Sequence, residues 1–165
     1  MKSVLSVSVA VLLAATLVGF IGCGPSNSGD AAIAAVNKNN VQRVANLYAR
    51  FYVAKAGEKF VGPEDEKTFK EFVSNMDEKA LSRMGVDPTD IDGLFTGRDG
   101  KPLKIRYGVK GDSRGGSQAV AFEEEGVDGV RMVGFTGLKV IEVDNDAEYD
   151  ELWAGKKDSG GTGGR

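Results

Sequence analysis

The chain has 165 residues, of which 24 are acidic and 21 basic, so its net charge is −3. It contains no histidine and one cysteine. These counts exclude an intramolecular disulfide and every catalytic or metal site built on imidazole, so we expect no cofactor. The acidic excess argues against a general nucleic-acid binder.

The first 22 residues have the composition of a secretion signal. Lys2 precedes an apolar run at 4–21, and Gly22-Cys23 follows it. This ending resembles the lipobox of bacterial prolipoproteins, in which a small residue precedes the cysteine that receives lipid. Phe20 departs from the leucine-like residue usual in that pattern. The resemblance implies removal of residues 1–22, fatty acyl chains on Cys23, and a lipid-anchored location in the bacterial cell envelope, on the periplasmic or outer-membrane side.

The length of the apolar run leaves an uncleaved membrane anchor as the alternative. Its 18 residues would form a helix of about 27 Å, close to the ~30 Å thickness of a bilayer core. The position of Cys23 directly after Gly22 favours lipidation over this alternative. Two or three acyl chains, at about 0.8 kcal/mol per buried methylene, hold a protein firmly on a membrane.

Composition divides the remainder of the chain into three segments. Residues 23–29 are predicted to be the lipidated N-terminus and a tether, and residues 30–155 a single folded domain. The last segment, 156–165, is rich in glycine and is predicted to be a disordered tail.

Helical periodicity covers the first half of the predicted domain. Apolar residues at intervals of three and four predict a helix at 40–56, capped by Asn39 or Asn40 and ended by Gly57. A second helix is predicted to begin near Pro63 and to continue through a turn that ends at Gly85. A short acidic helix is predicted at 146–153.

Beyond residue 88 the apolar pattern alternates, which is typical of strands. We predict strands at 103–107, 118–124, 130–136 and 138–143. Gly137 is assigned to the first central position of a type II′ hairpin turn. Helices followed by antiparallel strands predict an α+β fold, with N-terminal helices packed on a small sheet and a short C-terminal helix. The predicted core comprises Val44, Leu47, Phe51, Phe69, Phe72, Ile105, Phe122, Phe135 and Val140.

A glycine-rich segment at 111–116 resembles the serine environment of trypsin-like proteases. Arg114 interrupts that pattern after Ser113, and the chain has no histidine to serve as the base. We therefore interpret the segment as a loop and predict no catalytic residue.

Three aspartates have the spacing of a calcium-binding loop. Asp90, Asp92 and Asp99 fall at ligand positions, but Pro88 occupies the first position and offers no side-chain oxygen. Turn formation explains these carboxylates without an ion, so we predict no metal site.

Basic residues are concentrated between positions 98 and 114. Lys104 and Arg106 lie on the outer face of a predicted strand, and they are our candidate binding residues for a protein partner or an anionic envelope polymer. The alternative is that these charges pair with acidic residues across the sheet.

The strand pattern from Val120 to Val140 and the short helix after it are similar to the C-terminal part of small prepilin-like and pseudopilin-like proteins. The likeness covers about forty residues and implies a helix before an antiparallel sheet, with no catalytic residue to carry over. Gly137-Leu138 departs from the Asp-Gly of that group, and the apolar segment ends in a lipid-type cysteine.

These observations predict a membrane-anchored envelope lipoprotein that acts as a non-enzymatic binding or scaffolding module. The alternative is a carboxylate-dependent enzyme acting on a cell-wall or extracellular polymer, since paired acids can perform such hydrolysis.

Overall fold

A four-stranded antiparallel sheet with helices on both faces forms the described part of the protein. The computed structural model describes residues 39–55, 60–111 and 117–156. In chain order the elements are α1 (Asn40–Ala54), α2 (Glu66–Ser74), α3 (Glu78–Arg83), α4 (Ile91–Leu94), β1 (Lys104–Ile105), β2 (Ala119–Phe122), β3 (Arg131–Phe135), β4 (Val140–Val143) and α5 (Asp146–Trp153). The strands lie in the order β1-β2-β3-β4, and the α+β prediction is confirmed.

Asparagine and aspartate side chains set the starts of the helices. The Asn39 side chain accepts a hydrogen bond from the N–H of Gln42, and Asp65 accepts one from the N–H of Thr68. Each bond satisfies an N–H that has no partner within the helix. The predicted start of the second helix near Pro63 is therefore wrong, because Asp65 caps α2 and places its first residue at Glu66.

The helical stretch from Pro63 to Gly85 is also divided, because Asp77 caps a separate helix, α3. This helix ends as predicted at Gly85, whose φ of +69° is the left-handed conformation that glycine adopts readily. Val86 N–H donates to the carbonyl of Leu81 and Gly85 N–H to that of Ser82, which is the Schellman pattern of a helix end.

The sheet separates two apolar clusters. On one face, α1 packs on β2 and β3 with α2 beside it; on the other, α5 packs on β2, β3 and β4. Seven of the nine predicted core residues are buried, and the other two are partly exposed. Phe72 lies on the outer side of α2, edge-on to Phe51 at 5.1 Å between ring centres. Val140 begins the edge strand β4, so one side of it has no strand neighbour among the described residues.

The first strand is shorter than predicted. Residues 103–107 alternate as expected, with Leu103 and Ile105 buried, but β1 covers Lys104–Ile105 alone. The chain turns away at Gly108, whose N–H donates to the Pro63 carbonyl at 2.7 Å. Long-range pairing with the segment before α2 therefore ends this strand.

The turn between β3 and β4 differs from the type II′ prediction. Residues 136–138 form a three-residue loop, closed by a hydrogen bond from Phe135 N–H to the Lys139 carbonyl at 2.8 Å. Leu138, not Gly137, has the positive φ, at +62°. Loops of this length place a left-handed residue at their third position, which explains the difference. A leucine in that conformation costs about 1 kcal/mol relative to glycine.

Several predictions concern residues outside the described part of the chain. These are the signal, Cys23 and the tether, the start of the domain at 30–38, Gly57, the loop at 112–116, and the tail from 157. Across the three described ranges, no helix has both the length and the apolar character needed to cross a membrane.

Candidate functional site

Lys104 lies in a small cluster at the edge of the sheet, together with Glu124 and Trp153. Its Nζ is 5.4 Å from the centre of the Trp153 ring and 3.9 Å from a Glu124 carboxylate oxygen. The indole also contacts the ring of Phe122, which meets it edge-on with 5.2 Å between ring centres. Trp153 remains 37% exposed, so part of this packed aromatic ring faces solvent. We call Lys104, Glu124 and Trp153 the tryptophan cluster.

Arg106 has a different role from Lys104. Its guanidinium Nη1 donates to the carbonyls of Ala119 at 2.9 Å and Leu152 at 3.4 Å. The Leu152 carbonyl belongs to the last turn of α5, where a positive charge offsets the negative end of the helix dipole. Arg106 therefore joins α5 to the strand region through backbone carbonyls, whereas Lys104 contacts the Trp153 ring and Glu124.

Two other basic residues of this stretch, Arg98 and Lys101, pair with acidic residues after β2. Arg98 pairs with Glu123 at 2.8 Å, and Lys101 pairs with Glu125. With Lys104 and Glu124 they form three cation–carboxylate pairs in neighbouring positions. This arrangement agrees with charge pairing across the sheet, and it leaves a mixed-charge surface where the sequence showed a run of cations.

Glu123 is the buried member of this set. The sequence analysis places it within a predicted strand and assigns it no role of its own. It has no exposed surface. One carboxylate oxygen accepts hydrogen bonds from the backbone N–H and Nε of Arg98, both at 2.9 Å. The other accepts from Arg98 Nη2 at 2.8 Å and from Met132 N–H at 2.9 Å. A sequence signal did exist: an acid directly after the apolar strand 119–122 is placed at the edge of the core.

The environment of Glu123 keeps it ionised. Burial alone would raise the pKa of its carboxyl group, but the hydrogen bonds from Arg98 and Met132 outweigh burial and hold the pKa below its ordinary value. The carboxylate thus has the character of a structural ion pair, since a general acid needs a raised pKa.

The aspartates with calcium-loop spacing have local structural roles. Asp90 caps α4 through the N–H of Gly93, and Asp92 pairs with Lys70 at 2.7 Å. Asp99 accepts hydrogen bonds from the N–H groups of Lys101, Gly126 and Glu125, and these bonds keep its pKa low despite partial burial. Among the residues that the structure describes, no three potential ligands are grouped to hold a metal ion.

No protein-family model, curated protein or solved structure matches the chain. The contacts described above and the sequence pattern therefore carry the functional argument.

Proposed function

We propose that the chain is a bacterial envelope lipoprotein, held on the membrane by lipid on Cys23, whose folded domain binds a protein partner. Under this proposal the domain is a binding or scaffolding module and not an enzyme.

The anchor is supported by the position of Cys23 after Gly22 at the end of an apolar run. Intact mass and detergent partitioning of the wild type and Cys23→Ala test it. We expect a wild-type chain that begins at Cys23, carries acyl chains and enters the detergent phase, while Cys23→Ala does not. An unacylated wild type that retains residues 1–22 would replace the lipoprotein with the signal-anchor alternative.

Partner binding is supported by one observation: Trp153 is exposed to solvent while its ring packs against Phe122. The indole contacts both the Phe122 ring and the Lys104 ammonium, so a partner that covers it orders a side chain that is already packed, and the loss of conformational freedom is small. Tryptophan is among the residues that contribute most to binding at protein interfaces. The alternating cations and carboxylates beside it suit a protein surface better than a uniformly anionic polymer.

The carboxylates near this surface give no support to the enzymatic alternative. Glu123 and Asp99 both lie beside Gly97, and hydrogen bonds lower the pKa of each despite burial. Hydrolysis of a glycan requires one of two neighbouring acids to hold a proton near neutral pH, which calls for a raised pKa.

Crosslinking of the full chain in native membranes, followed by pull-down and mass spectrometry, tests the partner. We expect one protein to be recovered reproducibly with the wild type and lost with Trp153→Ala or Lys104→Glu. Arg106 is left unchanged, because its reversal would place a carboxylate against the carbonyl end of α5. Val53→Ala is the matched control, since Val53 is 73% exposed at the end of α1.

Two outcomes contradict the proposal. Equal recovery of the partner with Trp153→Ala and Val53→Ala would remove the tryptophan cluster from the interface. Turnover of a wall polymer that is abolished by one Asp or Glu substitution in a stably folded variant would favour the enzyme.

A further inference from the structure

Strand β3 connects two hairpins whose tips lie at opposite ends of the sheet. The β2–β3 hairpin turns at 124–129, next to Arg131, and the β3–β4 hairpin turns at 136–139, next to Phe135. Each tip carries an exposed aliphatic side chain: Val127 is 40% exposed and Leu138 is 59% exposed. The two tips therefore form a natural comparison within one molecule.

The tips differ in charge. The first contains Glu124, Glu125 and Asp128, whereas the second, Thr136-Gly137-Leu138-Lys139, contains no acidic residue. We call residues 136–139 the acid-free tip. Three backbone groups of the tip hydrogen-bond to uncharged residues: Ser117 accepts from Gly137 N–H, Gln118 accepts from Thr136 N–H, and Gln42 donates to the Leu138 carbonyl.

Leu138 is in an unfavourable conformation and an unfavourable environment. Its φ of +62° is one that glycine adopts readily, and its apolar side chain faces water. The glycine immediately before it does not have the positive φ. The loop geometry accounts for this φ, and Asp128 at the opposite tip also has a positive φ, at +53°. What suits Leu138 to a contact outside the domain is therefore its exposed apolar side chain.

The acid-free tip also lies beside the point where the chain enters the domain. Gln42, in the first turn of α1, is 3.4 Å from the Leu138 carbonyl. Cys23 precedes Asn39 by 16 residues. A chain of that length spans at most about 55 Å, so a membrane that holds Cys23 is within reach of the tip.

We propose that the acid-free tip contacts the bilayer and that Leu138 inserts into the boundary between headgroups and acyl chains. This inference rests on the proposed lipid anchor, which raises the local concentration of the tip at the membrane so that one leucine suffices. We infer that the membrane it contacts is an anionic bilayer. The acid-free tip approaches such a bilayer without the electrostatic repulsion that the acidic opposite tip meets.

The test uses the full lipidated chain in vesicles of phosphatidylethanolamine and phosphatidylglycerol. Leu138→Cys and Val127→Cys are each labelled with an environment-sensitive fluorophore, since lipid on Cys23 blocks the native thiol. Quenching by a nitroxide on the lipid headgroup reports membrane contact, and quenching by iodide reports exposure to water. Circular dichroism verifies that both variants are folded, and vesicle flotation with intact mass verifies the anchor.

We expect the probe at position 138 to be quenched by nitroxide lipid at least about threefold more than the probe at 127, and to be shielded from iodide. Equal nitroxide quenching at the two positions in a chain that floats with the vesicles would overturn the membrane contact alone. A probe at 138 that is shielded from iodide but not quenched by nitroxide would also overturn it and indicate a protein on the tip. A chain that stays in the aqueous fraction would overturn the lipid anchor, and the membrane contact with it.

Discussion

Glu123 connects the loop before β1 with strand β3 and helix α5. Its carboxylate binds Arg98 from the loop before β1 and the N–H of Met132 in β3, while its backbone carbonyl accepts from the Tyr149 hydroxyl at 2.9 Å. A buried charge of this kind is stabilised by its hydrogen-bond and ion-pair partners. Removing one partner of a buried pair therefore lowers the free energy of unfolding far more than removing a surface pair does.

Glu123→Gln is expected to lower the free energy of unfolding by about 2–4 kcal/mol, because the amide cannot accept every hydrogen bond and leaves Arg98 without its counter-ion. Urea denaturation measures this change. Glu124→Gln is the matched control: its pair with Lys104 is exposed and 3.9 Å long, so about 0.5 kcal/mol or less should be lost. Equal losses in both variants would contradict the buried-pair interpretation.

The same pair has a defined pH dependence. The folded pKa of Glu123 lies below its ordinary value, so its stabilisation is present above the unfolded pKa of about 4.3 and is lost as pH falls through the folded pKa. The difference in unfolding free energy between wild type and Glu123→Gln should therefore be constant above pH ~5 and shrink below pH ~4. Urea titrations at several pH values measure this difference. A difference that grows on acidification would contradict a folded pKa of Glu123 below its ordinary value.

Leu138→Gly is expected to stabilise the protein, although it deletes a side chain. Glycine relieves the left-handed strain at φ +62°, and the leucine is mostly exposed. We expect a gain of about 0.5–1 kcal/mol and a rise in Tm of a few degrees by calorimetry. Val127→Gly, at the opposite tip, has no positive φ to relieve and should lower the Tm. A fall in Tm with Leu138→Gly would mean that the side chain contributes packing.

At the scale of elements, the features set by neighbouring residues could be predicted from the sequence. Asn39 and Gly85 mark helix ends through contacts within a few positions, and α5 has the predicted bounds, Asp146–Trp153. The predictions for the start of α2 and for the turn at 136–138 are wrong because two local signals compete in each case. Pro63 competes with Asp65 as the helix start, and Gly137 competes with Leu138, the third loop position, for the left-handed conformation. Propensity alone does not decide between such neighbours.

The candidate site could be predicted only in part. The alternating pattern at 103–107 places Lys104 on the correct strand. Its contacts with Glu124 and Trp153, however, depend on sheet register and on the packing of α5. The role of Arg106 also depends on α5, whose Leu152 carbonyl is 46 positions away in the chain. Periodicity gives the face on which a residue lies, but not the residue that it meets.

The two phenylalanines of α2 provide a test at the element scale. Phe69 is fully buried, with ring contacts to Tyr48 at 5.6 Å and Phe95 at 5.5 Å, whereas Phe72 is partly exposed. Phe69→Ala should cost about 3–5 kcal/mol of unfolding free energy, and Phe72→Ala roughly 1–2 kcal/mol. Chemical denaturation of both variants measures the difference. The reverse order would mean that α2 turns a different side toward the core.

For the whole molecule, the decisive contact is the close approach of α1 to the sheet. Gly134 in β3 lies directly under the first two turns of this helix. A methyl group added there would lie 2.7 Å from the Val41 carbonyl oxygen and 3.0 Å from the Ala45 Cβ. The absence of a side chain at Gly134 therefore sets the spacing between the helical layer and the sheet.

Gly134→Ala is expected to push α1 away from the sheet and to loosen the larger apolar cluster, since interiors packed this closely do not absorb an extra methyl without displacement. The loss in unfolding free energy should be about 1–3 kcal/mol, measured by urea denaturation. Hydrogen exchange should also increase at the amides of α1 more than at those of α5, because α5 packs on the opposite face. Gly111→Ala is the comparison variant: its φ is not positive, and its added methyl would lie 3.3 Å from the Phe60 carbonyl oxygen, a looser contact than the one at Gly134, so a smaller loss is expected. Equal destabilisation by the two substitutions, or uniform exchange in both helices, would show that α1 is not held at the sheet by the contact at Gly134.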